Sequence, residues 1–245
     1  MESLTPVDLF SDVHIEYEGA APEACAFVRN ASKDAFLKNI TYYLDNPINL
    51  SNGDTVTVTA NITPENAERQ GYFVNEITKI YTVSGIDEYI STYTMIDPPT
   101  LEKMDKQARD IIETETVSKP ATLLNADQWF VWFKYPKLEI IELKLLNSYF
   151  FHLKDGMQKG YNDVNNSIFL VYELTYSADQ PAPELINTIF VPVYYSNIVK
   201  RDSGNIDVDL SKGTIVSSIS YDFENLYRDT VIANKAKYDY EEIKY

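Results

Sequence analysis

The sequence is poor in the residues that most chemistry needs. It has one cysteine, Cys25, and two histidines, His14 and His152. A lone thiol forms no intrachain disulfide, zinc ribbon or iron–sulfur site. That suits a cytosol, and equally a secreted protein of an organism that uses few disulfides. No serine sits in a G-x-S-x-G nucleophile elbow. Basic side chains are the minority, 21 against 37 acidic ones, for a net charge of −16. Residues 1–99 hold 15 of the acids and only 5 of the bases. Such a surface repels a phosphate backbone, which argues against nucleic acid as a partner. It argues against an anionic membrane surface for the same reason; the charge reads as solvation. No apolar run approaches the roughly 20 residues that cross a bilayer, so no direct membrane insertion by this segment is expected. There is no signal-peptide pattern at Met1, and Met1-Glu2-Ser3 reads equally as a trimmed start.

What is present is strand patterning. In NLSNGDTVTVTANI (49–62), Asn52-Gly53 is a turn dipeptide, because both residues tolerate positive φ. Val56, Val58, Ala60 and Ile62 then alternate with Thr55, Thr57, Thr59 and Asn61. A period of two places the apolar set on one face, and the β-branched residues suit a pleated surface. One dry and one wet face belong to an antiparallel sheet.

Neighbouring segments follow the same pattern. Val7, Leu9, Val13, Ile15 and Tyr17 predict one strand face; Ala24–Arg29 and Ile40–Leu44 predict further strands. Tyr72–Val83 predicts another, with Phe73, Ile77, Tyr81 and Val83 at even spacing. Short strands with turn signals between them predict an Ig-like β-sandwich over residues 1–97. Asp97-Pro98-Pro99-Thr100 reads as a linker, with Thr100 capping a helix. Leu101, Met104, Ala108, Ile111 and Ile112 recur at helical spacing, and the helix is expected to end near Thr116. Three long strands follow, at Leu138–Lys154, Ser167–Tyr176 and Thr188–Val199; Pro192 argues for an edge or bulge in the last. Asp222 caps a final helix, and the charged tail Lys235–Tyr245 reads as loose. Residues 98–245 therefore predict an α+β domain with a helix packed on an antiparallel sheet. The fold class expected is mostly β with α+β.

Several segments taken together resemble a known family. FSDVHIEYEGAAPEACAFV, NLSNGDTVTVT, YTVSGIDEYI and TLEKMDKQARDII are similar to the extracytoplasmic portion of a group of uncharacterised Gram-positive bacterial membrane proteins. Those chains often begin with a cytoplasmic zinc ribbon and one membrane span, followed outside by Ig-like β modules. The resemblance covers most of residues 6–113 and, more loosely, the C-terminal part. Its motifs are structural punctuation. This chain carries neither the ribbon cysteines nor the span. The resemblance implies an extracytoplasmic envelope location, with anchoring by a segment absent from this chain, and a protein or cell-wall partner. It transfers no catalytic residue.

Candidate chemistry is sparse, and each candidate has a plainer structural reading. Both histidines read as structural: His14 on the wet face of the first strand, His152 among aromatics in SYFFHLK. Cys25 reads as a small core hydrophobe, because nothing basic lies beside it except Arg29. Asp202, Asn205, Asp207 and Asp209 offer oxygen ligands to calcium, but Gly213 stands where the EF-hand register needs a bidentate glutamate. An acidic turn is the reading kept. Glu139 and Glu142 fall on opposite faces of a regular strand, so they are not expected to form a glycosidase pair. The aromatic run Trp129, Phe130, Trp132, Phe133 and Tyr135 reads as core, with Trp129, Trp132 and Tyr135 as the alternative interaction patch.

No constellation for catalysis, metal or cofactor is evident, and the expectation is a non-enzymatic extracytoplasmic binding or structural module. Two alternatives stand beside it. One is a ligand pocket in the C-terminal domain, lined by residues such as Tyr149, Phe151, Phe169 and Tyr172. The other is a hydrolase whose site joins His152 to distant residues.

Overall fold

The computed structural model describes residues 4–118, 138–178, 185–216 and 219–245. The chain divides into two compact units, Met1–Glu88 with Arg201–Gly204, and Tyr89–Lys200 with Asn205–Tyr245. It is mostly β, with few helices.

The first unit contains strands β1 (Thr5–Val7), β2 (Val13–Glu18), β3 (Ala20–Ala21), β4 (Cys25–Asn30), β5 (Tyr42–Asp45) and β6 (Thr55–Ala60). A short helix α1 (Pro64–Glu68) follows, then β7 (Tyr72–Val74) and β8 (Thr78–Thr82); the next strand, β9 (Asp87–Tyr89), spans the division between the units. β2 pairs antiparallel with β4, and β6 lies between β5 and β8 in a second antiparallel sheet. The alternation in β6 holds: Val56, Val58 and Ala60 are buried while its threonines face outward. They meet Val13 of β2 and Ala26 of β4 in two apolar clusters. The apolar sides of the two sheets thus close on one another, as a period-two pattern requires.

Two expected strands are broken. The Asp8 carboxylate accepts from the Phe10 N–H at 2.8 Å, and Val13 N–H donates to Phe10 O at 3.3 Å. An aspartate gives the backbone a local partner, and here it turns the chain between β1 and β2. β1 then pairs in parallel with β7. The stretch Tyr72–Val83 likewise divides into β7 and β8, with Val74 buried and Phe73 left 44% exposed.

In the second unit the proline pair opens a helix. α2 spans Pro98–Ser118, two residues beyond the expected end. Prolines suit the first helical turn, where their missing N–H would be unpaired anyway. The capping side chain is Asp97, whose carboxylate accepts from Thr100 N–H at 2.8 Å, and not Thr100. The three long strands are β10 (Leu138–Leu153), β11 (Asn166–Ala178) and β12 (Leu185–Ser196). They are followed by β13 (Val199–Lys200), β14 (Ile206–Asp207), β15 (Thr214–Ile215), helix α3 (Phe223–Thr230) and β16 (Tyr238–Lys244). The main sheet is antiparallel in the order β15-β12-β11-β10-β16. Pro192 has only the two-residue β15 on its outer side, and its carbonyl accepts from Val216 N–H at 3.3 Å. A residue's N and O point the same way in a strand, so the missing N–H falls toward that short edge.

The tail expected to be loose is β16, paired to β10 over seven residues. Its charges do not prevent pairing because they alternate with Tyr238 and Tyr240, whose rings pack on Phe151. Each face of the sheet carries a helix. Met104, Ala108 and Ile112 of α2 cover Phe150, Ile168, Leu170, Tyr172 and Val193. Phe223, Leu226 and Tyr227 of α3 cover Tyr149, Phe151, Val171 and Phe190. Asp222 caps α3 as expected, accepting from Glu224 N–H at 2.9 Å.

Candidate functional site

Where β1 ends at Val7 and β7 at Val74, the chain turns away twice and leaves a depression of about 530 Å³ in the first unit. Pro6, Asp8, Phe10, Phe73, Glu76 and Lys79 are among the residues that line it. Val74 turns into the core, and the strand alternation carries Phe73 outward. Lys79 Nζ stands over two rings, 6.0 Å from the centre of Phe10 and 5.4 Å from that of Tyr81. A cation so placed is attracted by the negative ring faces. Behind Phe10 lies Tyr42, whose hydroxyl donates to Leu9 O. Burial, followed by neighbouring Tyr81, Asp8 and Asp12, pushes the Tyr42 phenol up to about 12. Burial also raises the Tyr81 phenol, with Asp8 adding to the shift. The depression therefore offers an exposed phenyl ring, two carboxylates and one ammonium already engaged by rings.

In the second unit only part of the expected lining comes together: Phe151 and Phe169 border a small cavity, whereas Tyr149 and Tyr172 do not. Tyr149, Phe151 and Phe169 lie on the α3 side of the sheet, whereas Tyr172 lies on the α2 side. The four do not line one pocket. Tyr172 donates to the Asp105 carboxylate at 2.7 Å, and Asp105 also accepts from Arg109 Nε at 2.9 Å. Burial raises the Tyr172 phenol, and the Asp105 carboxylate raises it further. This cluster ties α2 to the sheet. On the α3 side a smaller cavity of about 140 Å³ remains beside Asp163.

The residues singled out from sequence fall in separate places. His14 is exposed on β2, and His152 is half-buried in β10, opposite Asn166 and Asp239. Neither lines either depression. Cys25 is half-buried and not core; Ala24 and Ala26 on either side take the buried positions. Glu139 and Glu142 share a face of β10, contrary to the expectation of opposite faces. They pair with Ser177 and Thr175, which are two apart, because the register shifts between Ile140 and Glu142. Both are exposed. Asp202 belongs to the first unit; Asn205, Asp207 and Asp209 belong to the second. Asp209 accepts from Ser211 N–H at 3.1 Å and pairs with Lys212 at 3.3 Å. Among the described residues, no three His, Cys, Asp or Glu side chains are grouped to hold a metal ion. The patch Trp129, Trp132 and Tyr135 lies outside the described residues.

The depression in the first unit is not legible in the sequence, where Phe73, Ile77, Tyr81 and Val83 at even spacing predict one continuous strand. The available signal was Asn75-Glu76, a polar pair that interrupts the alternation. The chain matches no family model, no curated protein and no solved structure.

Proposed function

We propose that this chain is a non-enzymatic binding module in the extracytoplasmic part of a bacterial envelope protein. In this reading the depression of the first unit receives an extended segment of a partner protein that carries basic and apolar side chains. The observation that carries the proposal is the pairing of half-exposed Phe73 with Asp8 and Glu76 in one recess of about 530 Å³. An aromatic ring can anchor a partner's apolar side chain, and the carboxylates at the rim can select and orient a basic one. The net charge of −16 favours a basic segment and speeds its approach. The envelope location is supported by the sequence resemblance described above. An Ig-like description of the first unit is part of the same proposal, supported by its two facing antiparallel sheets.

Two experiments test it. Protease shaving of intact source cells is expected to release peptides of this chain while cytosolic markers stay protected; release only after lysis refutes the location. A photoreactive benzoylphenylalanine at position 73, installed in the cell, is expected to crosslink a protein. Adding Asp8→Lys and Glu76→Lys is expected to abolish that adduct. Absence of an adduct, or one indifferent to the two lysines, refutes the site.

A further inference from the structure

The smaller cavity lies on the α3 side of the sheet in the second unit. Its floor is aromatic. Phe151, Phe169, Tyr194 and Tyr238 line it; the partly exposed Phe169 and Tyr194 rings are tilted at 55° to one another with centres 4.9 Å apart, and the buried Phe151 meets Phe169 edge-to-face at 5.4 Å. Asn162, Asp163, Ser167 and Asn234 supply polar groups around that floor. The carboxylate among them is already neutralised. Asp163 Oδ2 accepts from both Gly160 N–H and Lys237 Nζ. The Tyr238 hydroxyl also hydrogen-bonds to this carboxylate, and since a carboxylate has about four acceptor positions, capacity remains beyond those three contacts.

We infer that this cavity is a binding site for an uncharged polyhydroxylated ring, a monosaccharide unit, seated with its C–H groups in the angle between the Phe169 and Tyr194 rings and its hydroxyls on Asn162, Asp163 and Asn234. Three features select this class. Flat rings match the apolar face of a sugar. The Asn162 amide, the carbonyl of Asn234, whose NH2 already donates to Thr230 O at 2.6 Å, and the Asp163 carboxylate offer both donors and acceptors to adjacent hydroxyls. The Asp163–Lys237 pair leaves no net charge with which to hold an ion. The site is separate from the recess of the first unit and does not depend on the function proposed for it.

The test is titration of the full chain with neutral hexoses and N-acetylhexosamines, followed by protein-observed NMR. Shifts are expected at the Ser167, Phe169 and Asn234 amides, with a dissociation constant of about 0.1–10 mM, as small polar ligands give. Asn162 is exposed, so Asn162→Trp places a ring at the mouth without touching the core and is expected to weaken binding at least tenfold. Phe169→Leu is expected to do the same, with near-ultraviolet circular dichroism confirming the fold. The site is refuted if no sugar shifts these amides at about 50 mM, well above that range. It is also refuted if shifts appear only elsewhere, if Asn162→Trp leaves affinity unchanged, or if acetate and phosphate bind there as well as the sugars.

Discussion

Asn166 does the work of a missing strand neighbour. It is fully buried; its amide donates to Ile90 O and Ile198 O, each at 2.8 Å, and its carbonyl accepts from Ile198 N–H at 2.7 Å. Asn30 and Asn52 do the same in the first unit, Asn30 with Leu37 O and Ile40 O, Asn52 with both backbone groups of Ile86. Removing one leaves several buried backbone groups unpaired, at about 1–3 kcal/mol each where water cannot reach them. Asn166→Ala is therefore expected to lower stability by about 2–4 kcal/mol in denaturant unfolding. A loss below about 1 kcal/mol would show that water replaces the amide. Tyr42 and Tyr81 form a contrasting pair. The Tyr42 hydroxyl has a partner in Leu9 O, whereas the buried Tyr81 hydroxyl has no hydrogen-bond partner. Tyr42→Phe is expected to cost about 1 kcal/mol, and Tyr81→Phe to be neutral or stabilising by up to about 1 kcal/mol. Thermal melts of the two variants decide the point, and a destabilised Tyr81→Phe would reveal a bound water. From sequence, Asn52 was legible as a turn residue, and its phi-permissive neighbour Gly53 does sit at φ 95°. Its side-chain bonds were not legible, because Ile86 is 34 positions away.

Helix and strand ends follow from capping and register. α2 starts at Pro98 because the two prolines have no N–H to satisfy and the Asp97 carboxylate accepts from the next one, Thr100 N–H. Asp97→Ala is expected to cost about 1 kcal/mol, read as a lowered melting temperature, whereas Thr100→Ala removes no cap. β16 closes one edge of the main sheet. Tyr238 and Tyr240 pack on Phe151, Glu241 accepts from Tyr93 N–H at 3.0 Å, and the Tyr245 hydroxyl bonds to Tyr93 at 2.7 Å and Ser148 at 3.1 Å. Deleting residues 238–245 strips this strand from β10 and uncovers an edge prone to association. The expected result is loss of amide-exchange protection at Asn147–Leu153 and concentration-dependent aggregation. Retained protection there would mean that β10 is held by β11 alone. The charge of the tail suggests a loose end only when its residues are pooled; taken by parity, the charges fall between tyrosines. Its alternation of tyrosine with acid is itself a strand signal.

At the scale of the whole molecule, the chain combines an acidic surface with many buried phenols. Burial pushes Tyr42 and Tyr149 up to about 12 and raises Tyr93, Tyr172, Tyr176 and Tyr195 as well. In the unfolded chain these groups release their protons near pH 10. Above that pH the unfolded state binds fewer protons than the folded one, so stability falls as pH rises from about 10 to about 12. Tyrosinate absorbance is expected to rise together with loss of near-ultraviolet circular dichroism, as one cooperative alkaline transition. Smooth titration of all 19 tyrosines near pH 10, with the fold intact, would contradict the burial of these rings.

The sequence by itself determined β6, β10, β11 and β12, the bulk of α2, the cap of α3 and the sign of the surface charge. Each of these is set by neighbours within a few positions: a period of two, a period of 3.6, or an aspartate just before a helix. Tertiary structure decided the rest. A period of two assigns residues to two faces but does not say what covers each. Tyr149 and Tyr172 therefore looked alike until α3 was found over one and α2 over the other. One inserted residue reverses parity, and the register shift at Ile140–Glu142 put Glu139 and Glu142 on the same side. The recess beside Phe73 and the cavity beside Asp163 join segments distant in the chain, Pro6 with Lys79 and Phe151 with Tyr238. Such junctions are made by long-range backbone pairing, which a local period of two does not specify.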